Sequence, residues 1–310
     1  MKVKTINKVL GQEVDKWIAS IKDEGLRKLV KKNVIITGGS IASMLLAEPV
    51  NDYDVYIADA KCLAALTAYY VNEFNCDESC THKAFVILHD HSGNTTFYGD
   101  ELSGGSLSMV EQEVEEGYRV EIGVEDNVGS AQTTPETEED KGKYRPVFLS
   151  SNAITLSDKF QIIVRFYGDI EEIHVNFDFV HAMNYWTFDD GVVTNTRSLE
   201  CLLARELIYS GSRYPLASIF RTRKFIIRQW KCPISNYIKM AIQLNEFDLS
   251  DIDVLREQLT GVDALYCSQL IAAMSAKQEQ DPSFEFGSDY VCALVEKIME
   301  QGSTDDDAND

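Results

Sequence analysis

The chain has no apolar run near the ~18 residues that a bilayer-spanning helix requires. Its opening residues, MKVKTINKVLGQEVDKW, contain no apolar signal core followed by small residues. Membrane insertion and secretion are therefore not expected, and the reading is cytoplasmic. A disulfide framework is also missing: the seven cysteines are odd in number and scattered, which suits a reducing compartment. Base is scarce. Lys and Arg number 29 against 50 Asp and Glu, a formal net charge of −21. Such a field repels nucleic acid at long range unless a local basic patch overrides it. No P-loop is present, because Gly38-Gly39 lacks the Lys-Ser/Thr pair that would follow. No Cys–His or Ser–His–Asp pattern stands out, and there is no internal repeat.

What is present suffices for a sizeable core: 45% of residues are hydrophobic and 25% charged. Part of the negative charge is segregated. Glu111 to Glu125, Glu136 to Asp140 and the tail from Ser303 to Asp310 are acidic stretches that read as solvated loop and tail. The remainder is still acidic, so a broad nucleic-acid surface is not expected.

Periodicity orders the rest. Ile6, Val9, Leu10, Val14, Trp17, Ile18 and Ile21 share one helical face, and a short basic helix follows Gly25 up to Asn33. Val34 to Ile36 is a short β-branched run ending at a glycine pair, a buried strand entering a turn. Ser40 to Ala47 reads as a helix, Asp52 to Ile57 as a strand and Ala60 to Phe74 as a helix. Ala84 to Leu88 and Tyr118 to Ile122 are further strands. Residues 92–116 read as an irregular insertion and 124–145 as a disordered loop. Gln161 to Phe166 and Ile173 to Phe179 alternate and read as adjacent strands, and helical periodicity holds from about 197 to 300. The expected organisation is an N-terminal helical extension over 1–32, then an α+β catalytic domain over 33–195. Its acidic insertion spans about 92–145. A helical domain over 196–300 and a disordered acidic tail over 301–310 follow.

Three segments carry potential chemistry. In Ile36-Thr37-Gly38-Gly39-Ser40, a glycine pair after a buried strand lets backbone approach a ligand. The next helix would offer N–H groups, and Ser40 a hydroxyl, to an anion. Alone, the segment is equally an ordinary strand-to-helix turn. In Asn51-Asp52-Tyr53-Asp54-Val55-Tyr56-Ile57, residues two apart share a face, so Asp52 and Asp54 project together. Adjacent carboxylates repel unless a cation sits between them, and hard oxygen ligands suit Mg²⁺. A solvated acidic strand end is the alternative. In His174-Val175-Asn176-Phe177-Asp178-Phe179, the apolar residues face the core and Asp178 shares the opposite face with His174 and Asn176. That places Asp178 either on an exposed polar face or as a third ligand.

Together, the Gly-Gly-Ser turn, a spacer of about a dozen residues, Asp52-x-Asp54 and a later strand acid resemble the signature of the DNA polymerase β-like nucleotidyltransferase superfamily. The form is most similar to the head domains of CCA-adding enzymes and poly(A) polymerases. The resemblance is strong over 33–58 and moderate over 160–180, and the acidic insertion and tail suit a phage-encoded member. It implies an α+β fold with a mixed sheet followed by an all-helical domain. It also implies transfer of a nucleotidyl group from an NTP, ATP by default, with release of pyrophosphate. Two Mg²⁺ ions would be held by Asp52, Asp54 and Asp178, and Gly38, Gly39 and Ser40 would cradle the triphosphate. Two departures stand out. Ile41-Ala42-Ser43-Met44 carries neither the Arg nor the acid usual after the glycine pair in CCA-adding enzymes. The insertion before Asp178 is long, which leaves Asp158, Asp169 and Glu172 as competitors for the third position.

The most basic segment, Tyr214 to Trp230, reads as a helix. Leu216, Ile219, Phe220, Ile226, Ile227 and Trp230 share its apolar face. Arg221, Lys224 and Arg228 form a separate stripe, and Arg223 falls within the apolar face, where it needs Glu206 or a phosphate as partner. The segment is loosely similar to the Arg-rich helix of CCA-adding enzymes, which implies phosphate contacts for Arg221, Arg223 and Lys224. Cys76, Cys80, His82, His89 and His91 cluster in sequence without the two tight ligand pairs of a zinc site. The acceptor expected is a hydroxyl on a short RNA or tRNA end or a small molecule. The alternatives are an inactive binding module with a protein partner, or a toxin/antitoxin-type transferase acting on protein or tRNA.

Overall fold

The computed structural model describes all residues except 91, 93, 99–117, 128, 134–142, 250, 260–263, 282–283, 285 and 307–310. Most of the acidic insertion and the end of the tail lie outside the described residues. The chain forms two compact units, one of residues 1–177 and 181–202, the other of 178–180 and 203–310.

The first unit is α+β, built on a mixed sheet of eight strands. In chain order the strands are β1 (Val34–Thr37), β2 (Tyr53–Ile57), β3 (Ala84–His89), β4 (Thr95–Tyr98), β5 (Arg119–Val124), β6 (Ser130–Gln132), β7 (Pro146–Ser150), β8 (Ala153–Leu156), β9 (Phe160–Tyr167), β10 (Tyr185–Thr187) and β11 (Gly191–Val193). The large sheet runs β11-β10-β1-β2-β9-β8-β7-β6, and β4-β3-β5 form a separate sheet. Strands β2 and β9 are parallel; β1 pairs with β2 antiparallel, Ile36 opposite Val55. Several of these strands are too short or too weakly alternating to read from sequence. Strands β7 and β8 meet in a hairpin, and β10 and β11 form another.

One face of the sheet is thickly covered. Helices α1 (Val3–Ser20), α2 (Glu24–Asn33) and α4 (Ala60–Asn75) supply Leu10, Trp17, Val30, Leu63 and Phe74. These pack on Val34, Ile36, Val55, Ile57, Phe160, Ile162 and Val164 in one core. Burial of this much aliphatic and aromatic surface is the main favourable term for the unit. Polar atoms within it are paired. The Trp17 indole N–H donates to Tyr70 Oη (2.8 Å) and that of Trp186 to Asn7 Oδ1 (2.6 Å). The opposite face is thinly covered. Among the described residues of this unit, Ile35, Tyr56, Ile163 and Tyr185 cluster with a short helix, α5 (Ile170–His174), and with Phe177.

That helix corrects the expected strand over 173–179. Its N-terminus is fixed by a capping box in which Asp169 accepts from the Glu172 backbone N–H and Glu172 accepts from that of Asp169. The local cap, with Gly168 at φ +117 before it, overrides the alternation of apolar residues. Asp169 and Glu172 are thereby committed to structure.

The second unit is helical. It contains α6 residues beyond Leu202 (the helix runs Thr196–Ala204), α7 (Pro215–Ile227), α8 (Ile234–Leu244), α9 (Ile252–Gln258), α10 (Ala264–Gln280) and α11 (Ser288–Asp306). Leu255, Leu259, Leu270, Ile271, Met274 and Ile298 form its core cluster. Pro at the first position of α7 suits a helix start, where its missing N–H is no loss. Among the described residues, no helix is long and apolar enough to cross a membrane.

Candidate active site

The sequence Ile-Thr-Gly-Gly-Ser builds a strand, a sharp turn and a helix in five residues. Strand β1 is buried throughout and delivers the chain to Gly38, whose φ of +97 is open to glycine at little cost. Helix α3 (Gly39–Leu46) starts at once. A Cβ on Gly38 would stand 2.7 Å from Asp54 Oδ2, whereas one on Gly39 would meet nothing within 4 Å. Of the glycine pair, then, only Gly38 is demanded by the fold, and the demand comes from the acid on the neighbouring strand. Ser40 is 2% exposed, and its Oγ has no hydrogen-bond partner among the described residues. A buried hydroxyl without a partner is unfavourable. Here it lies in the first turn of a helix, where backbone N–H groups also lack intrahelical acceptors.

Strand β2 carries Asp54 as its alternation requires, and Asp52 immediately precedes it. Tyr53, Val55 and Ile57 enter the core; Asp54 points to the thinly covered face and Asp52 is exposed just before the strand. Burial, reinforced by the neighbouring Asp52 charge, pushes the Asp54 carboxyl up to about 7. Continuing the β1–β2 register sets Thr37 beside Asp54, and the β2–β9 register sets Gln161 on its other side. No cation or donor side chain of the described residues neutralises the pair. Among the described residues, no group of three or more His, Cys, Asp or Glu gathers as a metal site. Cys76, Cys80, His82 and His89 form no such group among the described residues, and His91 lies outside them.

Sequence reasoning missed His174 as a member of this neighbourhood. Its Nε2 lies 2.8 Å from Thr37 Oγ1, and Thr37 Oγ1 also donates to the Asn184 carbonyl at 2.9 Å. The ring packs 5.0 Å from Phe177 and 6.3 Å from Tyr185 between centroids. Burial lowers the imidazole to about 4, so it is neutral near pH 7. The signal available was a polar residue in an apolar segment. The contact partner, 137 positions away, was not in it.

The other expected site residues fall in the second unit. Asp178 lies at an extended bridge, Phe179 opposite Tyr209, and its carboxylate takes a hydrogen bond from Arg221 Nη1 at 2.5 Å. Two residues expected separately, as metal ligand and phosphate ligand, thus pair with each other. Arg223 and Lys224 are exposed. The expected apolar face of α7 is packed only in part: Leu216 and Phe220 lie against the helical core and Trp230 is buried. Pro215, Ala217, Ser218 and Thr222 are buried, while Ile226 and Ile227 are 47% and 66% exposed. Arg223 therefore needs no internal partner.

A family model described as Gabija anti-defense 2 family protein matches residues 8–205, well over half of the chain. The chain belongs to the Gabija anti-defense 2 family. The matched region contains the glycine turn, Asp52, Asp54 and His174. No curated protein sequence matches this family member. Among solved structures, it is similar to a Thermotoga maritima CCA-adding enzyme complexed with tRNA, at 12% identity, TM-score 0.35, with 89% of this chain and 57% of that chain covered. A Bacillus stearothermophilus CCA-adding enzyme in complex with CTP gives 11% identity, TM-score 0.32 and coverage of 80% and 50%. A tRNA nucleotidyltransferase complexed with a primer tRNA and an incoming ATP analog gives 13% identity, TM-score 0.36 and coverage of 92% and 71%. The chain spans less than two thirds of the first of these structures, 57% of its length.

Proposed function

We propose that this family member is a divalent-cation-dependent nucleotidyltransferase. The observation that carries the reading is the meeting of Gly38 with Asp54. A glycine held at positive φ lies against one of two adjacent carboxylates, with the buried, unpartnered Ser40 hydroxyl two residues further on. An anion and a cation held side by side would satisfy both halves of this arrangement. The donor set fits a hard cation such as Mg²⁺, because both donors are carboxylate oxygens and burial, with the Asp52 charge beside it, holds the Asp54 carboxyl up to about 7. Asp52 and Asp54 would hold the metal. When bound, it would neutralise triphosphate charge and lower the pKa of an attacking hydroxyl.

The chain's own residues then have separate tasks. Gly38 keeps the approach to Asp54 free of a side chain. Ser40 and the first N–H groups of α3 bind phosphate oxygens of the NTP. His174, neutral and tied to Thr37, fixes the end of β1 from which the turn departs. Arg223 and Lys224, exposed on the second unit, suit an acceptor phosphate such as that of a short RNA or tRNA end. The family's name sets the activity against Gabija defence. In that setting a phage-encoded, cytoplasmic enzyme with ATP as default donor is the reading adopted.

The test is transfer of label from each α-labelled NTP, with Mg²⁺ and cellular RNA or protein as acceptor. Transfer that vanishes in Asp54→Asn and Gly38→Ala supports the reading. Absence of transfer and of NTP binding in the native chain would leave the fold as a binding module.

A further inference from the structure

Helix α8 carries an apolar stripe on its outside. Ile234, Ile238 and Ile242 are 72%, 55% and 65% exposed, while Asn236 and Met240 on the opposite side are buried. The three isoleucines follow one another every four residues, a ridge of the kind helices interdigitate when they pack. Large contiguous apolar surface in water is unfavourable and marks a contact site more often than a solvated face.

We propose that α8 pairs antiparallel with α8 of a second copy of this chain, about a two-fold axis passing beside Ile238. Three observations select that occupant. The stripe is self-complementary: Ile234 and Ile242 each lie four residues from Ile238, so the two-fold sets Ile238 against itself and Ile234 against Ile242 of the other copy. Two of the exposed flanking positions are small. Ser235 and Ala241 lie three residues either side of Ile238 and fall opposite each other, which lets the two backbones approach. The ends of the helix are opposite in charge. Exposed Lys231 precedes it, and exposed Glu246 and Asp248 follow it. Antiparallel pairing brings the basic entry of one copy to the acidic exit of the other, whereas parallel pairing sets like against like. An isologous contact of this kind closes as a dimer. The proposal is independent of the catalytic reading, since none of these residues belongs to the carboxylate site.

The experiment is light scattering coupled to size exclusion, and sedimentation equilibrium, on the full chain over a concentration series. Salt is set high enough to screen the repulsion between two copies of a chain of charge −21. The expected mass is twice 34.9 kDa. Ile238→Arg, a surface change that should leave the circular dichroism spectrum and melting transition intact, is expected to weaken association ~30-fold or more, as loss of a central contact does. Lys231→Glu should weaken it less, and Lys231→Glu combined with Glu246→Lys should restore it. A native chain that stays monomeric throughout the series overturns the proposal. So does a dimer that is indifferent to Ile238→Arg. Capture of a different protein by a monomeric chain would assign the stripe to that partner instead.

Discussion

At the scale of single residues, the site is decided by one glycine and one acid. Gly38→Ala would force an L side chain to φ +97 and drive a Cβ to 2.7 Å from Asp54 Oδ2. It should lower stability by about 1–3 kcal/mol and remove transfer, while Gly39→Ala, with open space around its Cβ, should retain the fold. Thermal melts of the two variants make the comparison. Asp54 makes a pH-dependent statement. Its folded pKa, about 7, lies above the ordinary carboxylate value near 3.8, so the folded state holds the proton more tightly than the unfolded chain. The Asp54 contribution to stability should therefore be fully present below about pH 4 and be lost as pH rises through 7, by an amount on the order of a few kcal/mol. Asp54→Asn should flatten that fall and stabilise the metal-free protein at pH 8. Mg²⁺ should do the same for the native chain and nothing for the variant. Denaturant titrations at pH 5 and pH 8, with and without Mg²⁺, measure it, and an equal response of both proteins to Mg²⁺ would remove Asp54 from the metal site.

At the scale of elements, two segments behaved differently from their sequence patterns, for different reasons. Residues 173–179 alternate like a strand, yet the reciprocal cap of Asp169 and Glu172 starts a helical turn at Ile170, and the chain leaves it at Phe177. Local capping hydrogen bonds outweighed a side-chain pattern that needed a neighbouring strand to be satisfied. In α7 the helical wheel gave the correct element and part of the face: Leu216 and Phe220 pack on the helical core, while Ile226 and Ile227 stay exposed, because a wheel records which residues share a side and not which of them find a partner. Arg221 consequently meets Asp178 rather than solvent. With Asp178 mostly buried and Arg221 about two thirds so, Asp178→Asn should cost about 1–3 kcal/mol. The loss should be non-additive with Arg221→Gln in a double-mutant cycle. Abolished transfer with an unchanged melting transition would instead return Asp178 to the metal.

At the scale of the whole molecule, a net charge of −21 means self-repulsion that salt relieves. Moderate NaCl should raise the melting transition by about 2–4 °C, the equivalent of roughly 1 kcal/mol, and a transition that falls instead would mean that specific ion pairs dominate. Association with long nucleic acid should be weak for the same reason. The sequence by itself determined the local parts: a buried β-branched strand ending in glycine, two acids on one side of the next strand, and helices after residue 197. Each of these rests on a period or a turn preference that operates within a few residues. Only the tertiary structure decided that Gly38 must yield space to Asp54, that His174 holds Thr37, that Asp178 answers to Arg221, and that an isoleucine ridge is left uncovered on α8. Those are pairings between distant positions, and a single chain's periodicity holds no record of which distant surfaces will exclude water together.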